Sequence, residues 1–156
     1  MAIFKLQLEE FSTTEYELIA IHTTIEVSKL AFLLNKNLNT RFHFLDVIDK
    51  KEKKEKGSFE RYLYCDEEKD VSWNLLENKS IINGASEQES SLFDQFGQTM
   101  YLIPEVKKAD YILKIDSEDA YLDIPKIIQT ISEINTISLS YYVDKNTIKT
   151  KSNLIF

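Results

Sequence analysis

Two stretches of this chain follow the same plan, and together they limit the folds open to it. Tyr16, Leu18 and Ala20 alternate through a short strand that ends near His22, and an apolar helical stripe then leads on to Phe42. Tyr111, Leu113 and Ile115 alternate in the same way, and a second stripe leads over the same number of positions to Ile137. Each reads as strand–helix–strand, because apolar residues recur first at every second position and then at every third and fourth. The first helix is read from Val27, Leu30, Ala31, Leu34 and Leu38, with Thr23 or Thr24 as its cap and an exit between Asn35 and Asn39. The second is read from Ile124, Ile127, Ile128, Ile131 and Ile134. Asp123 caps it, and Pro125 falls in the first turn, where a missing N–H is tolerated. Two such units predict an α+β fold: two helices packed on a mostly antiparallel sheet, ferredoxin-like or a related sandwich, with an inserted hairpin. A chain of 156 residues, 43% apolar, is expected to form a single domain over residues 1–156 without a disulfide or metal staple.

Around these units the pattern is less regular. Ile3–Leu8 reads as a first strand and Arg41–Val47 as another, with Phe42 and Phe44 on one side. The mixed charges of Lys50–Lys56 are expected to break that strand as a solvated, mobile loop. Phe59–Cys65 and Val71–Leu76 predict a hairpin about Asp66–Asp70, its second strand burying Val71, Trp73 and Leu75 and exposing Ser72 and Asn74. Lys79–Gln98 is polar and reads as a long loop, mobile over Glu87–Gln98, with Leu92, Phe93 and Phe96 tucked against the body. Ile137–Val143 is a strand; after a turn at Asp144–Asn146, Thr147–Phe156 is expected to return as a last antiparallel strand that packs Ile155 or Phe156.

Between Tyr101–Ile103 and Tyr111–Ile115, both read as strand, lies a charged connector from Pro104 to Asp110. Proline has no amide hydrogen, so a paired strand should stop there. Tyr111 is expected to bury its ring with its hydroxyl on a polar partner. The connector supplies candidate binding residues in Pro104, Glu105, Lys107, Lys108 and Asp110, to which His22, at a strand end, is added. Glu105 and Asp110 suit an acid/base pair, or a turn pinned by Asp110 with Glu105 in water. Lys107 and Lys108 join Lys145, Lys149 and Lys151 in a basic edge if the fold gathers them.

Ile103-Pro104-Glu105, three residues, then Ala109-Asp110-Tyr111 resemble the signature of the bacterial IPExxxVDY family, with Ala109 where the signature has Val. Leu18–Thr23, Leu33-Leu34-Asn35, Trp73, Asn78-Lys79, Tyr101-Leu102 and Lys149–Phe156 extend the resemblance over nearly the whole chain. It implies no activity, cofactor or partner.

Composition narrows the function classes. A net charge of −7 argues against nucleic acid, whose phosphates draw on Lys and Arg. No apolar run reaches the roughly 18 residues of a membrane span, and the N-terminus lacks the pattern of a signal peptide. Cys65 is alone, which excludes an intrachain disulfide and suits the cytoplasm. Three glycines leave no phosphate loop, and no Gly-x-Ser-x-Gly elbow or Cys-x-x-Cys is present. His22 and His43 act as joint metal ligands only if their strands are neighbours. The expected function is a small cytoplasmic, non-enzymatic binding or protein-interaction module, without a cofactor, whose partner is another protein or a second copy in a homodimer. The alternative is a small-molecule-binding or enzymatic domain with a site between loop 79–98 and connector 104–110.

Overall fold

Strand β1 (Tyr16–Thr23) carries a run of buried residues from Leu18 to Ile21, which requires cover on both faces. The computed structural model, which describes residues 15–52, 55–82, 98–118 and 120–155, supplies both. After β1 come helix α1 (Val27–Leu38), strands β2 (His43–Glu52), β3 (Glu55–Asp66), β4 (Val71–Glu77), β5 (Lys79–Ile82) and β6 (Gln98–Tyr101), and a 3-10 turn at Pro104–Val106. Strand β7 (Tyr111–Ser117), helix α2 (Ile124–Ser132) and strand β8 (Ile137–Val143) follow, and then two 3-10 turns at Lys145–Thr147 and Lys151–Leu154.

Six strands form one sheet in the order β2-β3-β4-β7-β1-β8, every neighbouring pair antiparallel. Strand β7 thus lies between β4 and β1. The crossover from β1 through α1 to β2 spans the width of three strands, and that from β7 through α2 to β8 spans one. The fold is α+β, with two helices and an antiparallel six-stranded sheet.

Both helices pack on one face. Leu30 and Leu34 of α1 and Ile131 of α2 join Ile19, Ile21, Leu75, Leu113 and Ile115 in one core. Phe42 and Trp73 meet edge-on there, centroids 6.3 Å apart, and Tyr111 is 8% exposed with its hydroxyl donating to the Ile25 carbonyl at 2.6 Å. Burial, then the Glu77 and Asp110 carboxylates, push that phenol up to about 12. The second core lies on the other face. There Leu18, Ala20, Phe59, Leu76 and Ile112 are covered by Met100, Leu102, Ile103, Ala109, Ile148 and Leu154. The cover is a small sheet of β5 and β6, the connector and the C-terminal segment. Gly57 permits this layer: a Cβ there would lie 2.7 Å from the Met100 sulfur.

Several expectations hold. Helix α1 has the anticipated stripe and ends at Asn39 in the left-handed region (φ 60°). Asp123 caps α2, accepting from the Lys126 N–H at 3.2 Å. The β3–β4 hairpin, β7 and β8 fall where the alternation places them.

Others are corrected. The α1 cap is Glu26, with no side-chain cap bond; Thr23 is occupied elsewhere, its hydroxyl donating to the Thr136 carbonyl at 2.7 Å. Over its described residues the charged run is strand and not a loose loop. Lys50–Glu52 pairs with Glu55–Gly57, and Lys50 Nζ donates to the Tyr101 carbonyl at 3.0 Å. A ribbon can pair its backbone whatever charges its side chains carry, which sequence alternation does not reveal. Lys79–Ile82 and Gln98–Tyr101 are strands and not loop. Asn74, on a face expected to be wet, is 6% exposed, beside Lys114 of the neighbouring strand β7. The final segment is two 3-10 turns rather than a strand beside β8. The Asp144 carboxylate accepts from the Asn146 N–H and its carbonyl from Thr147, which curls the chain across the sheet. Leu154 is the buried anchor, and Ile155 is 77% exposed. The expected strand at Ile3–Leu8, the tucked Leu92, Phe93 and Phe96, nearly all of the mobile stretch from Glu87, and Phe156 lie outside the described residues.

Candidate functional site

The connector is held by a residue outside it. Asn78, fully buried between β4 and β5, donates from Nδ2 to the Val106 and Ala109 carbonyls at 3.0 Å each. Its Oδ1 accepts from the Ile103 N–H at 2.8 Å, its own N–H donates to Asp110, and its carbonyl accepts from Leu102. One side-chain amide thereby satisfies three backbone groups at the two ends of the connector turn.

The sequence-derived site residues divide around this node. Asp110 accepts from the Thr23 N–H at 2.9 Å and pairs with Lys79 at 2.9 Å, tying the end of β1 to the start of β5. Glu105 reaches the C-terminal segment, where Oε1 accepts from the Lys149 and Thr150 N–H groups at 3.0 Å and Oε2 from the Thr150 hydroxyl at 2.8 Å. Slight burial pushes the Glu105 carboxyl up, but the Thr150 hydroxyl and backbone donors outweigh this and hold it below the usual range. Pro104, Lys107 and Lys108 are exposed. The His22 side chain is engaged with Tyr141, its Nε2 3.1 Å from the Tyr141 hydroxyl. Three strands separate β1 from β2, so His22 and His43 do not meet. Among the described residues no group of three or more His, Cys, Asp or Glu is placed to hold a metal, and no helix is long and apolar enough to cross a membrane.

A cavity opens elsewhere, on the sheet face away from the helices. It has a volume of 740 Å³. Its floor follows from strand register. Asn74 pairs across the strands with Lys114, and Ser72 with Asp116, which is opposite Tyr16. Along β4 and β7 the same face turns from Leu76 and Ile112, under the second layer, to these polar residues where the layer stops. Leu63 and Cys65 continue the floor, and Lys145, Lys151, Leu154 and Ile155 of the C-terminal segment form a wall.

The floor is charged yet buried. Lys114, 8% exposed, donates to both Asp116 oxygens at 2.8 and 3.0 Å, and its ammonium lies 5.0 Å from the centroid of the Tyr16 ring. The Lys145 ammonium lies 5.5 Å from the same centroid. Burial, then the Asp116 carboxylate, push the Tyr16 phenol up. Beside this group the Asn74 carboxamide oxygen is buried and has no hydrogen-bond partner among the described residues. Arg61, at the rim, makes a bidentate pair with Asp46 at 2.7 and 2.8 Å. The exposed Cys65 thiol lies 3.9 Å from the Ser72 hydroxyl.

Sequence reasoning missed this cavity. Its signal was a lysine inside the apolar run Tyr-Ile-Leu-Lys-Ile and an asparagine in β4, which become neighbours only once β4 and β7 pair. In comparisons with known proteins, the chain matches no family model, no curated protein and no solved structure.

Proposed function

We propose that this chain is a non-enzymatic, cytoplasmic binding module that takes a small molecule into the cavity above Asn74 and Lys114. The observation that carries this is the unpartnered Asn74 oxygen. A buried acceptor without a donor costs about 1–3 kcal/mol, which a ligand donor offsets. The cavity volume falls in the range of small-molecule sites. Lys114 and Asp116 satisfy each other, which favours binding over acid/base catalysis. The test is a fragment screen followed by amide chemical shifts of the full chain. Shifts clustered on Tyr16, Asn74, Lys114 and Leu154 are expected; hits that map elsewhere overturn the reading.

A second reading, contact with another protein or a second copy, is favoured by β2. This edge strand leaves Phe44, Leu45 and Val47 between 40% and 50% exposed. A mass in solution that falls on Phe44→Glu supports it; a monomer at every concentration, with no protein bound, removes it.

The fold is read as a ferredoxin-like variant. In its support, the order β8-β1-β7-β4 has each helix crossing over one intervening strand once the hairpin β2–β3 is taken as an insertion. Kinship with the IPExxxVDY family is supported by the structural work of Ile103, Glu105, Ala109, Asp110 and Tyr111. Each is buried in a core or bonded across the fold, as suits a motif that specifies a shape.

A further inference from the structure

We infer that the ligand of this cavity is an amphipathic anion, a carboxylic acid whose apolar body carries one N–H or O–H donor; the inference rests on the binding reading above.

Three observations specify the class. The first is the Asn74 oxygen, an acceptor 6% exposed as a residue, which selects a donor on the ligand. The second is charge. Arg61 is matched by Asp46 and Lys114 by Asp116. Lys145 and Lys151 on the C-terminal wall have no carboxylate partner among the described residues, while Glu15 brings one negative charge to the lining. These two ammoniums, which make no ion pair with a described residue, draw an anionic group to the wall, in a chain whose net charge is −7. The third is the apolar share of the walls. Leu63 and Leu154 flank the floor, and Leu45 and Ile155 stand 40% and 77% exposed at the rim, where an apolar body would cover them.

The positions are complementary. Lys145 already lies against the Tyr16 ring, so an acid placed beside it gains an ammonium held in place by the ring. Asn74 lies on the floor and the lysines on the wall, so the donor and the acid belong at opposite ends of the ligand.

Indole-3-acetate, which has an apolar body, a ring N–H and one carboxylate, is the probe, titrated into the full chain by calorimetry. Indole-3-acetamide removes its charge, 1-methylindole-3-acetate its donor, and tryptamine reverses its sign. Indole-3-acetate should bind at least tenfold more tightly than each of the three. The double variant Lys145→Met/Lys151→Met should lose about tenfold for the acid and nothing for the amide. Asn74→Leu should abolish the difference between indole-3-acetate and its N-methyl form; if that variant does not fold, the lysine variant still decides. Equal or tighter binding of the amide or the amine, with shifts on Asn74 and Lys114, overturns the class and leaves the site standing. Silence from all four probes overturns class and site together.

Discussion

The Glu105 carboxylate grips Thr150 twice, through its backbone N–H at 3.0 Å and its hydroxyl at 2.8 Å, and so fastens the C-terminal wall of the cavity to the connector. Glu105→Ala should cost about 1 kcal/mol by the scale of such hydrogen bonds. Its folded-state pKa is lowered, so the contribution is present above the ordinary carboxylate range and is lost as pH falls through the lower folded value. Acid denaturation curves should show that loss in the parent and not in Glu105→Ala. Superimposable curves would show that the clasp does not hold.

Asn78 should be the least replaceable polar residue of the fold. Asn78→Ala removes three side-chain hydrogen bonds and strands the Ile103 N–H and two carbonyls in a buried turn. A loss of at least about 3 kcal/mol in urea unfolding is expected. Asn78→Asp keeps the shape but turns a carboxylate toward the Val106 and Ala109 carbonyls, and should be no better tolerated.

Tyr111 separates a ring from a hydroxyl. Tyr111→Phe keeps the packing and leaves the Ile25 carbonyl without its donor, so it should cost about 1 kcal/mol, whereas Tyr111→Ala should cost about 3–5 kcal/mol. The phenol is raised to about 12, so its contribution is full below the ordinary tyrosine value and is lost as pH climbs toward about 12. The alkaline limb of the stability curve should flatten in Tyr111→Phe.

The C-terminal segment gives a contrast of adjacent residues. Leu154 is 2% exposed and Ile155 77%. Leu154→Ala should lower stability by about 2–3 kcal/mol, near the low end for buried leucines because the segment can shift to fill the gap. Ile155→Ala should fall within about 0.5 kcal/mol of the parent. Reversal of that order in thermal melts would place the segment differently.

What was legible in the sequence follows from how far each signal reaches. The stripes of α1 and α2 and the alternation of β7 are local, and Leu30, Leu34, Ile131 and Leu113 lie in the core as their spacing requires. The charged end of β2 was not legible, because its backbone pairs while Lys51 stays exposed and the Lys50 ammonium is taken up by the Tyr101 carbonyl. Thr147–Leu154 has apolar residues at Ile148 and Leu154, too sparse to separate a strand from two turns. The connector was marked by Pro104, but what holds it is Asn78, 25 residues before Ile103. The cavity lay furthest out of reach. Asn74 read with Ser72 as the wet face of its strand and Lys114 as a single polar residue in an apolar run, and only the register of β4 on β7 makes them a pair.

The insertion of β7 between β4 and β1 also dictates an order of assembly. As the chain is synthesised, β1 emerges first among the described strands, and β2, β3 and β4 can pair among themselves before either neighbour of β1, β7 or β8, is made. The two wings become one sheet only when Tyr111–Ser117 arrives, because that segment bonds β4 on one side and β1 on the other. Until then Ile19, Ile21 and Leu75 have no β7 against which to close. Contacts so distant in sequence make for slow folding, on the order of milliseconds to seconds. A ribosome-bound chain that stops short of Tyr111 would therefore hold an open β1 edge, the condition in which chaperones find their clients.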